Sequence, residues 1–152
     1  MSSTDVTSGS ENGSPPAATI DLKLEVITVP VSDIERAKAF YEGLGWRLDA
    51  DIARGDVFRV LQFTPPHSEC SISIGKGLAK MEPGTLQGLQ LCVTDIDAAR
   101  AELVGRGLDI TPVRHIVDGE WKDGHGEPWN SFCFFSDPDG NGWAVQEKPA
   151  AN

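Results

Sequence analysis

The residues best equipped for chemistry crowd into one stretch, D-G-E-W-K-D-G-H-G-E-P-W-N from Asp118 to Asn130, with two Trp, one His, four acids and three Gly. A loop this long inside a compact domain is often functional. Trp121 and Trp129 suit the walls of a site for a flat or cationic ligand, and the acids would pair with positive charge. His125 suits a general acid or base near neutral pH. The plainer role for the same residues is structural: two Trp covering a hydrophobic edge or a dimer contact, with solvated charges around them.

Elsewhere the reactive residues are scattered. His67 falls in a Pro-Pro turn and His115 in a strand-like run, and no two histidines have the i, i+2 or i, i+4 spacing of paired metal ligands. Cys70, Cys92 and Cys133 are an odd number at unpatterned spacing, each beside apolar residues. They read as buried free thiols in a reducing cytoplasm. No Ser-His-Asp ordering or Rossmann fingerprint stands out. Gly84 and the G-K-G at Gly75–Gly77 have no helix start behind them, which argues against a phosphate loop. The run D-P-D-G-N from Asp137 to Asn141 is turn chemistry.

The 152 residues carry 13 bases and 23 acids, a net charge of −10. Two of the acids, Asp5 and Glu11, lie in the first 20 residues, so the body keeps 23 − 2 = 21 acids against 13 bases. Such a surface repels phosphate backbones and argues against a nucleic-acid partner. Residues 1–20, rich in Ser, Thr, Gly, Pro and Ala, are expected to form a disordered tail, without the basic start and apolar stretch of a secretory signal. No apolar run approaches a membrane span, so no membrane partner is expected. The remaining 21–149 make one domain.

The elements that position these residues come in two copies. Val31–Gly45 (V-S-D-I-E-R-A-K-A-F-Y-E-G-L-G) returns 62 residues later as Val93–Gly107 (V-T-D-I-D-A-A-R-A-E-L-V-G-R-G), without a gap and with seven of fifteen positions identical. In the first copy, Leu22–Val31 reads as a strand and Ser32 as an N-cap in a capping box with Glu35. A helix follows with Ile34, Ala37, Phe40, Tyr41 and Leu44 on one face, and Gly45 as its stop. Strands are expected at Trp46–Ile52, Val57–Phe63 and Cys70–Ile74. In the second copy the strand is Gly88–Val93, the cap Thr94, the helix face Ile96, Ala99 and Leu103, and the stop Gly107. Strands at Asp109–Val117, Ser131–Phe135 and Trp143–Lys148 follow, with Asp118–Asn130 as an irregular loop. The fold class is therefore α+β, two tandem βαβββ modules spanning 22–86 and 87–148. Three strand segments between Trp46 and Gln87 disfavour a ferredoxin-like arrangement.

The helix motif V-S-D-I-E-R-A-K-A-F-Y-E-G-L-G-W and the terminal F-F-S-D-P-D-G-N-G-W-A-V-Q-E resemble the vicinal oxygen chelate superfamily of glyoxalase I, bleomycin-resistance proteins and extradiol dioxygenases. The resemblance covers about Leu22 to Lys148. It implies modules that curl into half-barrels and face each other, within a chain or across a dimer, around a cavity. Fold alone does not fix function here, since the group holds both enzymes and drug binders.

In metal-binding members of the family, donors come from four strand positions. The resemblance places these at Val26, near Ser71 or Ser73, at Gly88 and at Ala144. None is an imidazole or carboxylate, so no metal is expected at the usual place. A one-residue slip would instead bring in Glu25 and Gln87, also 62 apart, with Glu147 joining through a bulge in the last strand, to hold one divalent ion. Such a slip turns every side chain of the strand over.

Strand alternation supplies the cavity candidates: Thr28, Phe58, Val60, Gln62, Ser71 and Ser73 from the first module, and Phe132, Phe134, Ala144 and Gln146 from the second. Arg59 would then point away from the cavity. The expected protein is a cytoplasmic homodimer that binds a small organic molecule in an apolar cavity, with no cofactor. The alternatives are a metal-dependent lyase, isomerase or dioxygenase using Glu25, Gln87 and Glu147; metal-free acid–base chemistry through His125; and a structural dimer with a vestigial cavity.

Overall fold

The duplicated sequence folds as duplicated structure. Helix α1 spans Ile34–Gly43 and α2 spans Ile96–Gly105, again 62 residues apart. The computed structural model describes residues 14–150. Within the expected tail, residues 1–13 lie outside the described residues, and 14–20 are exposed without helix or strand.

Both helices start and stop by the same devices. Asp33 and Asp95 are the N-caps, each accepting from the backbone N–H three residues on (Arg36 and Ala98, both 3.0 Å). The caps are therefore one residue later than the expected Ser32 and Thr94. Ser32 is drawn away because its hydroxyl donates to Asp139 at 2.6 Å, and Glu35 pairs with Arg59 instead of closing a capping box. At the other end Gly45 (φ 84°) and Gly107 (φ 91°) take left-handed backbone. Their N–H groups reach Glu42 and Val104, while Trp46 and Leu108 reach back to Tyr41 and Leu103. This is a Schellman closure repeated in both copies, as the two glycines predict.

The first sheet has the order β1-β4-β3-β2, built from β1 (Val26–Thr28), β2 (Arg47–Arg54), β3 (Phe58–Thr64) and β4 (Ser71–Lys76). β1 and β4 are parallel, and the other pairs are antiparallel. The second sheet has the order β5-β9-β8-β6-β7, from β5 (Leu89–Val93), β6 (Arg114–Val117), β7 (Glu120–Asp123), β8 (Phe132–Ser136) and β9 (Gly142–Glu147).

Three expectations about strands are corrected. The run from Leu22 joins a ladder only at Val26, because β4 begins at Ser71 and offers nothing to pair upstream beyond the bond from Ser71 N–H to Glu25. Asp109–Pro112 is not strand: Pro112 cannot donate to a ladder, and β6 starts at Arg114. Part of the expected loop is strand β7, paired with β6 through a two-residue turn at Asp118 (φ 50°) and Gly119 (φ 81°). Asp-Gly between strand-forming residues is the strongest short hairpin signal, and it sits in plain view in the sequence.

Each sheet turns one face to a shared core. Leu61, Phe63, Ile72, Ile74 and Val29 of the first module and Cys133, Phe135, Trp143 and Val145 of the second are all buried there. Helix α1 bridges the two sets: Phe40 lies 6.3 Å from Phe135, and Tyr41 contacts Trp46, Phe63 and Trp143. The modules therefore join through their helix-side faces, and the opposite face of each sheet looks away from this core.

The expected burial of all three cysteines is also corrected. Cys133 is buried, Cys70 half-buried and Cys92 exposed, all as free thiols. Cys92 alternates with Leu91 and Val93 and so falls on the outer face of β5.

Candidate functional site

The register of β1 places Thr28 on the outward face of the first sheet, where its hydroxyl lies 3.2 Å from that of Ser73. Val29 is buried on the opposite face. Ser73 pairs across the ladder with Gln62, and Val60 with Gly75. Alternation puts Phe58, Val60, Gln62, Ser71 and Ser73 on this one face, with Ser71 and Thr64 hydroxyls 2.7 Å apart. The face is mostly hydroxyl and amide, with Phe58 and Val60 toward its far end. Arg59 points the other way, bridging Asp51 and Glu35 beside α1. The carboxylate–guanidinium hydrogen bonds to Arg59, aided by Lys38, hold the Asp51 carboxyl down at about 2 and push Arg59 further up.

The second sheet's outward face is aromatic. Phe132 and Phe134 lie parallel with centroids 6.1 Å apart. Trp121, carried by β7, stands edge-on to both at 5.5 and 5.3 Å. The hairpin that sequence reading missed is what delivers it. Beside the rings, Gln90 donates to Gln146 at 2.6 Å, and Gln146 donates to the Trp129 carbonyl at 2.7 Å. Trp129 itself has left-handed backbone (φ 70°), an unfavourable state for a bulky residue that this amide bond helps to hold.

At one end of this sheet opens a cleft of about 680 Å³. Its walls are the starts of β5 and β9, the end of β8 and the segment Asp109–Pro112, including Ile110, Phe134, Phe135, Trp143 and Ala144. Phe134 and Ala144 belong to both the cleft and the outward face. The first-module candidates Thr28, Phe58, Val60, Gln62 and Ser73 take no part in it, and neither do Trp121, Trp129, Phe132 and Gln146. The contribution of Asp109–Pro112 was hidden by reading that segment as strand; Pro112 was the available signal.

His125 is fixed at the N-terminus of α2. Its Nε2 lies 2.8 Å from Asp97 Oδ2, and its Nδ1 3.9 Å from Glu147 Oε1. Glu147 also accepts from the Ile96 backbone N–H at 3.0 Å, so its carboxylate favourably meets the positive end of the helix. Both imidazole nitrogens thus face carboxylates on the α2 side. The three shifted donor candidates sit in different surroundings. Glu25 is exposed just before β1, Gln87 donates to the Gly140 carbonyl at 3.0 Å, and Glu147 caps α2. Among the described residues no three His, Cys, Asp or Glu side chains group as a metal centre. His67 sits in a turn with φ 65°, and His115 Nδ1 contacts the Gly124 carbonyl at 2.9 Å.

The D-P-D-G-N turn is more than a turn. Buried Asp137 accepts from Tyr41 Oη (2.9 Å), Asn141 Nδ2 (2.8 Å) and the backbone of Asp139 and Asn141. Asn141 Nδ2 also donates to the Pro30 carbonyl at 2.8 Å, and its Oδ1 accepts from Leu86 N–H at 3.1 Å. Asp139 holds Ser32 and Arg36. The turn of the second module thereby clasps the end of β1, the start of α1 and the inter-module connection. Burial, then the neighbouring Asp137 charge, push the Tyr41 hydroxyl far above its ordinary value, so it stays a neutral donor.

Two βαβββ repeats, one extended by an edge strand, joined back to back through α1 and each presenting an outward sheet face, define the architectural class. A model of the Glyoxalase/Bleomycin resistance protein/Dioxygenase superfamily matches residues 23–145, and the chain belongs to that superfamily. Among solved structures, TnmS3, an antibiotic binding protein from Streptomyces sp. CB03234, is 34% identical with a TM-score of 0.67, the match covering 88% of this chain and 100% of that one. A glyoxalase/bleomycin resistance protein from the same strain is 35% identical with a TM-score of 0.63, covering 82% and 100%. A superfamily member from Sphaerobacter thermophilus DSM 20745 is 28% identical with a TM-score of 0.65, covering 84% and 98%. No curated protein matches the chain. No helix among the described residues is long and apolar enough to cross a membrane.

Proposed function

We propose that this protein binds a small organic molecule of antibiotic type on the aromatic face of the second sheet, without a metal ion. The observation that carries the reading is Trp121 standing edge-on over the parallel pair Phe132 and Phe134. Apolar walls with a few fixed amides are the usual make-up of a small-molecule site, and here the amides are Gln90 and Gln146. The similarity to an antibiotic binding protein at 34% identity supports the ligand class. Gln87 donates to the Gly140 carbonyl and Glu147 accepts from the Ile96 N–H, and these separate engagements support binding without a metal at the shifted positions.

The first-sheet face of hydroxyls and amides is the complementary wall. The shared core holds the two faces of one chain apart from each other, so a second copy would supply this wall in a homodimer. Free thiols fit a reducing compartment such as the cytoplasm. The test is a thermal-shift panel of aromatic and peptide antibiotics, bleomycin among them, run in the presence of EDTA. A ligand that binds only the folded state raises the melting temperature. A response that appears only on adding a divalent metal ion contradicts the reading.

A further inference from the structure

We propose that Arg114 selects the charge of the ligand on the aromatic face: it favours flat aromatic molecules bearing an acidic oxygen, a carboxylate or an ionised phenol, over their neutral counterparts. The inference rests on the reading of this face as a ligand site and adds the ligand's chemical class. The strand registers place the residue. Cys92 pairs with Gln146, Gln146 with Phe132, Phe132 with Arg114 and Arg114 with Asp123, so one row of side chains crosses all five strands of the second sheet. Residues paired across a ladder share a face. Phe132 looks outward, parallel to Phe134 and edge-on to Trp121. Arg114 therefore stands beside the Phe132 ring on the outward side, one strand spacing of about 4.8 Å away.

Arg114 differs from the other arginines of the chain in what it holds. Arg36, Arg47, Arg59 and Arg106 each pair with a carboxylate. Arg54 and Arg100 donate to backbone carbonyls. Among the described residues the Arg114 guanidinium has neither kind of partner, although the residue is half-buried. Asp123, directly across the ladder, is exposed and forms no ion pair with it. His115 and Lys122 pair with each other on the opposite side of their strands, so Arg114 is the one cation of the row. On the far side of Phe132, Gln146 is already bonded to Gln90 and to the Trp129 carbonyl. The unspent donors on this row belong to Arg114. A guanidinium offers them as a rigid fork that matches a carboxylate, and it tolerates an aromatic ring alongside. A bound acidic oxygen would replace its remaining water with charge-assisted hydrogen bonds. A neutral aromatic molecule covering the same rings would strip that water and return little, which costs affinity. The residue thus both attracts one class of ligand and penalises the other.

Fluorescence titration of the full chain with pyrenecarboxylate and with the neutral pyrenecarboxamide, at a neutral pH where the acid is ionised, tests the selection. The wild type should bind the carboxylate at least tenfold more tightly than the amide, a difference of about 1.4 kcal/mol. Arg114→Gln should abolish that preference by weakening the carboxylate alone, with the amide unchanged within about twofold. Arg114→Lys should recover part of the preference, because the charge returns without the fork. It also keeps the test open if the Gln variant misfolds by circular dichroism. Trp121→Ala should weaken both compounds, which ties the preference to this face. Equal binding of the two compounds by the wild type, a preference that survives in Arg114→Gln, or a loss shared equally by the amide overturns the proposal and leaves the reading of the face standing. A wild type that binds neither compound, or binding that Trp121→Ala leaves intact, contradicts the reading of the face itself, and the proposal falls with it.

Discussion

Tyr41 and Asp137, 96 positions apart and in different modules, share a buried hydrogen bond of 2.9 Å, and the same hydroxyl accepts from Trp143 Nε1 at 3.1 Å. This bond and its neighbours on Asn141 are the polar lock inside an otherwise apolar inter-module core. Removing the hydroxyl in Tyr41→Phe leaves a buried carboxylate and an indole N–H short of partners. The expected cost is about 1–3 kcal/mol. Asn141→Ala should cost more, about 4 kcal/mol, since it strips Pro30 and Leu86 of their partners as well. Chemical denaturation of the three proteins checks both the size and the order.

Asp51 gives a pH signature. Its carboxyl is lowered from 3.8 to about 2 by the hydrogen bonds to Arg59 and Lys38. A depressed folded-state value contributes stability above the unfolded value, and that contribution is lost as pH falls from near 4 toward 2. Asp51→Asn should therefore melt below the wild type at pH 7, and the gap should close as pH approaches 2. A gap independent of pH between 5 and 2 would show that the ion pairs with Lys38 and Arg59 contribute nothing.

Thiol chemistry should divide the cysteines. Exposed Cys92 should react first with a water-soluble disulfide reagent under native conditions. Cys133 should stay silent until unfolding, being buried and with its thiol pushed up to about 11 by burial. Peptide mapping after brief labelling reads this directly.

The helix ends were legible from sequence, because Gly45 and Gly107 fall where each copy must reverse direction with left-handed backbone. So was the outward face of β8, where Phe132 and Phe134 alternate with buried Cys133 and Phe135. What escaped depended on partners far along the chain. Ser32 has the right chemistry for a cap, and only the position of Asp139, 107 residues away, takes it elsewhere. The D-P-D-G-N run looks like a local turn because its side-chain acceptors and donors, Tyr41, Pro30 and Leu86, belong to other elements. The β6–β7 hairpin was local and readable from Asp118-Gly119, but the surrounding acids, glycines and tryptophans imitate an irregular loop.

Trp121 should carry a large part of the ligand's binding energy. Truncation to Ala at an aromatic hot spot typically costs about 2 kcal/mol or more, some thirtyfold in affinity. Gln146→Ala should have a smaller effect and should also release the Trp129 backbone, visible as faster amide exchange after Pro128.

The central claim is tested most directly by melting chelator-treated wild-type and Trp121→Ala protein against the same antibiotic panel. The account predicts at least one compound that raises the wild-type melting temperature in EDTA, with the rise lost or much reduced in Trp121→Ala. A wild type that responds to nothing, or responds only once a divalent metal ion is restored, would contradict it.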